Sequence, residues 1–201
     1  MNELKKKRVK TVLKYTWPFY IIAVLVVYAV MSVIFNATHP VPAYKTLTLF
    51  VTGEVSDAKK LKEDMFEKYE NNNLKTFSCI ASPLTDTNYT TRLTVAGYAS
   101  ADVLILPISK AEKLDVSSFA IDLKAELVSE YYQGYTFYAQ EETNYGVKLD
   151  KSKVESFITL PNEDCYMFLN GRSKNLGDYN ISSKPIKEHN NALRVVKDWG
   201  M

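Results

Sequence analysis

Residues Trp17 to Phe35, WPFYIIAVLVVYAVMSVIF, form an uninterrupted apolar run without one charged side chain. As a helix this run would extend roughly 28 Å, close to the ~30 Å hydrocarbon core of a bilayer. A helix satisfies its own backbone hydrogen bonds, which lipid requires. Lys5, Lys6, Lys7, Arg8, Lys10 and Lys14 precede it against one acid, Glu3. Such cations hold an N-terminus in the cytoplasm, and Trp17, Phe19 and Tyr20 fall where an interfacial aromatic belt belongs. A cleaved signal peptide has a shorter apolar region, about 7–15 residues, followed closely by a small-x-small site. Here the best such site, Val41-Pro42-Ala43, lies well past the run. The segment reads as a retained anchor contacting the bilayer through Trp17 to Phe35. The expected organisation is a basic cytoplasmic tail (1–14), a transmembrane helix (15–36), a linker (37–44) and an extracytoplasmic domain (45–201).

Residues 45–201 have the length of one ordinary domain with a real core. The whole-chain charge of +2 is misleading, because the basic tail conceals a slightly acidic remainder. Nothing in that balance points to nucleic acid or an anionic lipid surface as a partner. The two cysteines, Cys79 and Cys165, sit in strand-like apolar runs. Outside the cytoplasm they are free to pair or to stay as buried thiols, and the sequence leaves both open. Asn36, Asn88 and Asn180 head N-x-Thr/Ser triplets that matter only in a glycosylating pathway.

His39-Pro40-Val41-Pro42 reads as a stiff spacer that prevents the membrane helix from continuing. Thr46–Thr52 is β-branched and apolar, hence a strand, and Gly53 breaks it. Ser56 or Asp57 caps a helix whose inner stripe is Ala58, Leu61, Met65 and Tyr69, with Phe66 beside it. Asn71-Asn72-Asn73 ends that helix, and Leu74–Ala81 reads as a second strand. Strand, helix and strand with short connections imply a right-handed crossover and a parallel pair. Further along, the patterns predict a helix over Thr87–Ala96 stopped by Gly97 and a strand over Ala101–Pro107. One or two helical turns follow at Ser109–Leu114, with a helix at Ile121–Tyr131. Thr136–Gln140 and Tyr145–Leu149 pair across Glu141–Asn144. A strand at Asp164–Asn170 and a helix at Lys187–Trp199, inner face Ala192, Leu193, Val196 and Trp199, complete the series. The continuous apolarity of ADVLILP indicates a strand covered on both faces. The fold class is α/β: a transmembrane helix, then a single three-layer helix–sheet–helix lobe with a mostly parallel sheet.

Residues for catalysis are scarce. His39 and His189 are the only histidines, one in the linker and one in a polar turn. Cys165 and His189 are formally a Cys/His pair, but nothing local supports a nucleophile. Phosphate-binding, dinucleotide, hydrolase-elbow and zinc-protease motifs are absent from the sequence. Adjacent Glu141 and Glu142 would point to opposite faces of a strand, so they better suit a solvated hairpin. No enzyme, cofactor or metal is expected. Tyr131, Tyr132, Tyr135, Tyr138 and Tyr145 form a cluster suited either to stacking on a ligand or to closing a small core.

Taken in order, these segments resemble the first lobe of extracytoplasmic solute-binding proteins of ABC transporters, with the type II periplasmic-binding fold. The likeness runs through TLTLFVTGEVSDAKKLKEDMFEKYE, SADVLILPISKAEKL, FYAQEETNYGVKL and CYMFLNGRSKNLGDY…ALRVVKDWG. Such proteins insert a second lobe after the crossing strand, whereas only Asp150–Asn162 separates YGVKL from the returning strand here. The resemblance implies a non-catalytic binding or accessory subunit beside a transporter permease, with a small-molecule ligand left open; the retained helix that anchors it departs from that family. The alternative is an interaction domain that docks another membrane protein and takes no small molecule. Open α/β sheets hold ligands at the carboxyl ends of their strands. That places the candidate ligand-binding residues at Thr52, Gly53 and Glu54, whose N–H groups could meet an acceptor, and at Pro107, Ile108 and Ser109. Tyr145 and Gly146 join them by family analogy.

Overall fold

The structure is a computed structural model describing residues 3–38, 41–69, 74–181 and 186–201. The chain divides into two units, Met1–Pro40 and Val41–Met201. The first is one helix, α1 (Glu3–Thr38), longer than the expected transmembrane segment and continuing through Pro18. Its Thr16–Phe35 stretch has a mean hydropathy of 2.5 and no buried residue, and is long and apolar enough to cross a membrane. That is a property of length and composition, which signal sequences share. His39 and Pro40 of the expected spacer lie outside the described residues, as does the Asn71–Asn73 helix stop.

The second unit is built on β1 (Thr46–Val51), β3 (Thr76–Ala81), β4 (Val103–Pro107), β5 (Phe137–Gln140), β6 (Thr143–Lys148) and β8 (Cys165–Leu169). These form one sheet in the order β3-β1-β4-β8-β6-β5. β1 pairs in parallel with β3 and with β4. β8 runs antiparallel between β4 and β6, and β5 is antiparallel to β6. The sheet is therefore mixed rather than mostly parallel. The returning strand enters against the direction of its neighbours, and apolar composition alone carries no sign of strand direction. A two-stranded ribbon, β2 (Glu54–Val55) with β7 (Ile158–Thr159), lies outside the main sheet and has no counterpart in the sequence reading.

Side-chain alternation splits the interior in two. Leu47, Leu49, Val51, Val103, Ile105, Met167 and Leu169 face one core. It is shared with α2 (Ala58–Tyr69), α5 (Ala125–Tyr131) and α6 (Asn191–Trp199). Phe50, Leu104, Leu106, Tyr166 and Phe168 face the other core. Its cover is α3 (Tyr89–Arg92), the π-helical turn Leu93–Tyr98 and α4 (Ile108–Ala111). The three-layer arrangement follows directly. Asp57 accepts the Lys60 N–H at 2.9 Å and caps α2, whose buried stripe is Leu61, Met65 and Tyr69. Ala58 is exposed, not inward.

Three element boundaries differ from expectation, each for a local reason. Helical backbone continues past Gly97 to Ser100. A Cβ on Gly97 would stand 3.0 Å from Leu93 and 3.2 Å from Leu104, so this glycine serves close packing rather than a stop. Ile121–Lys124 is not helical, because Ile121 and Leu123 are buried while Asp122 and Lys124 are exposed, a two-residue period. Ile121 accordingly donates its N–H to Leu169. The last helix starts at Asn191, not Lys187; ahead of it His189 stacks on Tyr44 with ring centroids 3.5 Å apart.

The hairpin turn between β5 and β6 is only Glu141-Glu142, with φ of 51° and 69°. Two left-handed residues in a two-residue hairpin favour Asn-Gly, since glutamate pays a steric cost there. Exchanging Glu141→Asn with Glu142→Gly should raise stability by about 1 kcal/mol, read as a higher denaturant midpoint at constant m.

One buried carboxylate ties the elements together. Asp102, at the start of β4, accepts the Thr48 N–H at 2.7 Å, the Ser173 hydroxyl, and the Asn175 side-chain amide at 3.0 Å. Burial holds its carboxyl above the ordinary carboxylate range, opposed only in part by those three hydrogen bonds. Asn175 also donates to the Thr46 carbonyl, so β1, β4 and the segment after β8 meet at this one group. Asp102→Ala strands three donors at once, those of Ser173 and Asn175 buried and that of Thr48 partly so. It should cost about 2–4 kcal/mol in equilibrium unfolding.

Candidate functional site

β1, β3, β4 and β6 all point the same way, and the connections leaving β1 and β3 pass to opposite faces of the sheet. The carboxyl ends of β1 and β4 therefore border the crevice where open α/β sheets hold ligands. Thr52 and Gly53 follow β1, Ser82 follows β3, Pro107 ends β4, and Ile108 and Ser109 open α4. Here the fold gathers Thr52, Gly53, Pro107, Ile108 and Ser109.

The polar groups of this crevice are already engaged within the chain. Thr52 donates its N–H to the Ile105 carbonyl at 2.9 Å, and Gly53 donates to Ser82 at 3.2 Å. Thr52 Oγ1 and Tyr89 Oη are hydrogen-bonded at 2.9 Å in a fully buried pair. Burial raises the Tyr89 phenol above its ordinary range, so the pair stays neutral. Lys110 Nζ caps the Tyr89 ring 5.0 Å from its centroid. Ile108 donates its N–H to Asp164. Ser109 gives its N–H to Glu163 Oε2 at 3.0 Å and its hydroxyl to Oε1 at 2.8 Å.

The β2–β7 ribbon closes what remains. A Cβ on Gly53 would lie 2.3 Å from the Thr159 carbonyl oxygen, so only glycine lets the 158–160 segment sit on the end of β1. Glu54 pairs with Thr159 in that ribbon and points its side chain to solvent. The short connection between β6 and β8 folds back over the crevice.

Tyr145 and Gly146 are placed elsewhere. Gly146 is level with Phe168 and Leu104 in mid-sheet, where a Cβ would meet the Phe168 ring at 2.7 Å. Tyr145 lies one residue further from the carboxyl ends and lines a separate groove of about 700 Å³ beside α5. At the carboxyl end itself β6 presents Lys148, paired with Asp164 at 2.8 Å.

No protein-family model and no curated protein matches this chain. Among solved structures, it is similar to the maltose/maltodextrin-binding domain MalE from Bdellovibrio bacteriovorus bound to maltotriose. That similarity has a TM-score of 0.39 at 11% identity, over 52% of this chain and 28% of that one. Apo RafE from Streptococcus pneumoniae scores 0.33 at 18% identity, over 55% and 31% respectively. An ABC substrate-binding protein from Listeria monocytogenes in complex with cycloalternan scores 0.30 at 15%, over 55% and 32%. This chain thus spans about a third or less of the length of each. Scores and identities this low carry no argument about what it does.

Cys79 and Cys165 are free thiols. Burial pushes Cys79 up to about 12 and Cys165 to about 11, so neither is a ready nucleophile. Among the described residues no group of three or more His, Cys, Asp or Glu is arranged to hold a metal ion.

Sequence reasoning missed Ser82, Tyr89, Glu163 and Thr159, the residues that fill the crevice. Ser82-Pro83, just after an apolar strand, was the available signal for the first. The others reach the site through tertiary contact alone. Gly53→Ala should separate β2 from β7 and destabilise the domain by about 2 kcal/mol or more, measured by chemical denaturation.

Proposed function

We propose that this chain is a membrane-tethered, non-catalytic accessory domain that works through contact with another membrane protein. It does not act as a solute trap. A transporter permease is the partner class that the sequence resemblance implies. The observation carrying this reading is the closed crevice: Thr159 sits over Gly53, and Thr52 is bonded to Tyr89. A ligand there would have to break buried hydrogen bonds that the protein already makes with itself, each costing about 1–3 kcal/mol if left unmatched. The tether is α1, whose apolar Thr16–Phe35 stretch matches a bilayer in length. The basic residues ahead of it support an orientation with the N-terminus in the cytoplasm and residues 41–201 outside.

Two measurements on the full chain test this. Thermal unfolding in the presence of sugars, amino acids and short peptides should leave the melting temperature unchanged, because only a ligand of the native state raises it. Cross-linking in the native membrane with a membrane-impermeant reagent should join residues 41–201 to one defined membrane protein. A concentration-dependent rise in melting temperature with a solute would overturn the reading, as would a chain that cross-links to nothing.

A further inference from the structure

The groove that Tyr145 lines beside α5 is a concave surface apart from the crevice, and its chemistry differs from it. Its floor is apolar, made by Ala120 and Ile121, and Ile181 at its rim is 78% exposed. Tyr179 stands at its side, its hydroxyl donating to Glu130 Oε2 at 2.8 Å. Asp122, Glu126, Glu130 and Asp178 line it against a single base, Lys124. Among the described residues none of those four carboxylates makes an ion pair. Carboxylates without an ion pair occur elsewhere too, Glu112, Asp115 and Glu141 among them, so what marks this groove is that four of them border one cleft with an apolar floor. The groove therefore combines negative charge unneutralised by any ion pair with an exposed apolar anchor and two aromatic rings. Its volume of about 700 Å³ falls in the ~300–1,000 Å³ range of binding clefts.

We infer that this groove docks a basic peptide segment of the partner protein, with lysine or arginine side chains against the Asp122/Glu126/Glu130/Asp178 rim and an apolar side chain on Ile121 and Ile181. The choice of partner follows from charge complementarity. Exposed carboxylates speed and orient the approach of a cationic chain, and the apolar floor gives the contact its lifetime. Tyr145 and Tyr179 line the same groove, and an aromatic lining suits a cationic side chain. A purely polar cation would leave the apolar floor unused. The inference deepens the accessory-domain reading, on which it rests for the partner being a protein.

The test uses the full chain in an uncharged detergent and a fluorescein-labelled peptide of four Lys-Leu repeats, followed by fluorescence anisotropy. Wild type should bind, more weakly as salt rises. The double variant Asp122→Lys/Glu126→Lys should lose at least tenfold in affinity, and Ile181→Asp should also weaken binding. Both aspartate and glutamate positions are exposed, so unchanged melting should confirm folding. The double variant Glu63→Lys/Glu67→Lys on α2 should bind as wild type does. No binding by wild type, or equal losses in both double variants, overturns the inference. So does full competition by spermine with Ile181→Asp unaffected, which would make the groove a polyamine site. A membrane cross-link that persists in Asp122→Lys/Glu126→Lys sinks the groove and leaves the accessory reading standing. Peptide binding without any membrane cross-link does the reverse.

Discussion

Burial of β1, β4 and β8 on both faces is the constraint from which the rest of the domain follows. Leu49, Phe50, Val51, Val103, Leu104, Ile105, Met167 and Phe168 are each fully buried, so helices must cover the sheet on both sides. Alternation along each strand then assigns aliphatic residues mainly to one core and aromatic ones largely to the other. A sheet covered in this way has only its two ends and two edges left for function. At one end Asp102 locks the strands together through Thr48, Ser173 and Asn175. At the other end lies the crevice.

What fills that crevice is the chain itself. The segment between β6 and β8 is short; it makes one turn, pairs with Glu54–Val55 and places a carbonyl where any side chain on Gly53 would have to be. Tyr89 reaches in from the other core and takes the Thr52 hydroxyl. Burying these groups is tolerable because each finds a partner. A solute entering there would have to displace these internal bonds. On the proposed reading, recognition falls instead to the outer surface, where Asp122, Glu126, Glu130 and Asp178 border one apolar groove beside α5.

Much of this was legible in the sequence. The apolar run before Asn36 and the strands TLTLFV, VLILP and CYMFL stand out because they are long and unbroken. α2 announces itself by the spacing of Leu61, Met65 and Tyr69 and by Asp57 ahead of them. The ends of elements were less legible. Gly97 looks like a stop but is a packing contact, and Ile121–Leu123 follows a strand period inside a helix-like composition. The direction of β8 and the ribbon between Glu54–Val55 and Ile158–Thr159 are tertiary facts, decided by which edge is open rather than by local preference. For the same reason Thr52, Gly53 and Ser109 could be named as crevice residues, while the groups that occupy them could not. Tyr145 was singled out by analogy with a ligand cleft, and it instead lines the groove beside α5.

The decisive measurement is amide hydrogen exchange at Thr52 and Gly53 in the full-length protein. With the crevice closed by the 158–160 segment, both amides should exchange as slowly as those of Leu49–Val51, opening only when the domain unfolds. Exchange of Thr52 and Gly53 many orders of magnitude faster than that of β1, restored to slow exchange by an added solute, would show an open binding cleft and contradict the account.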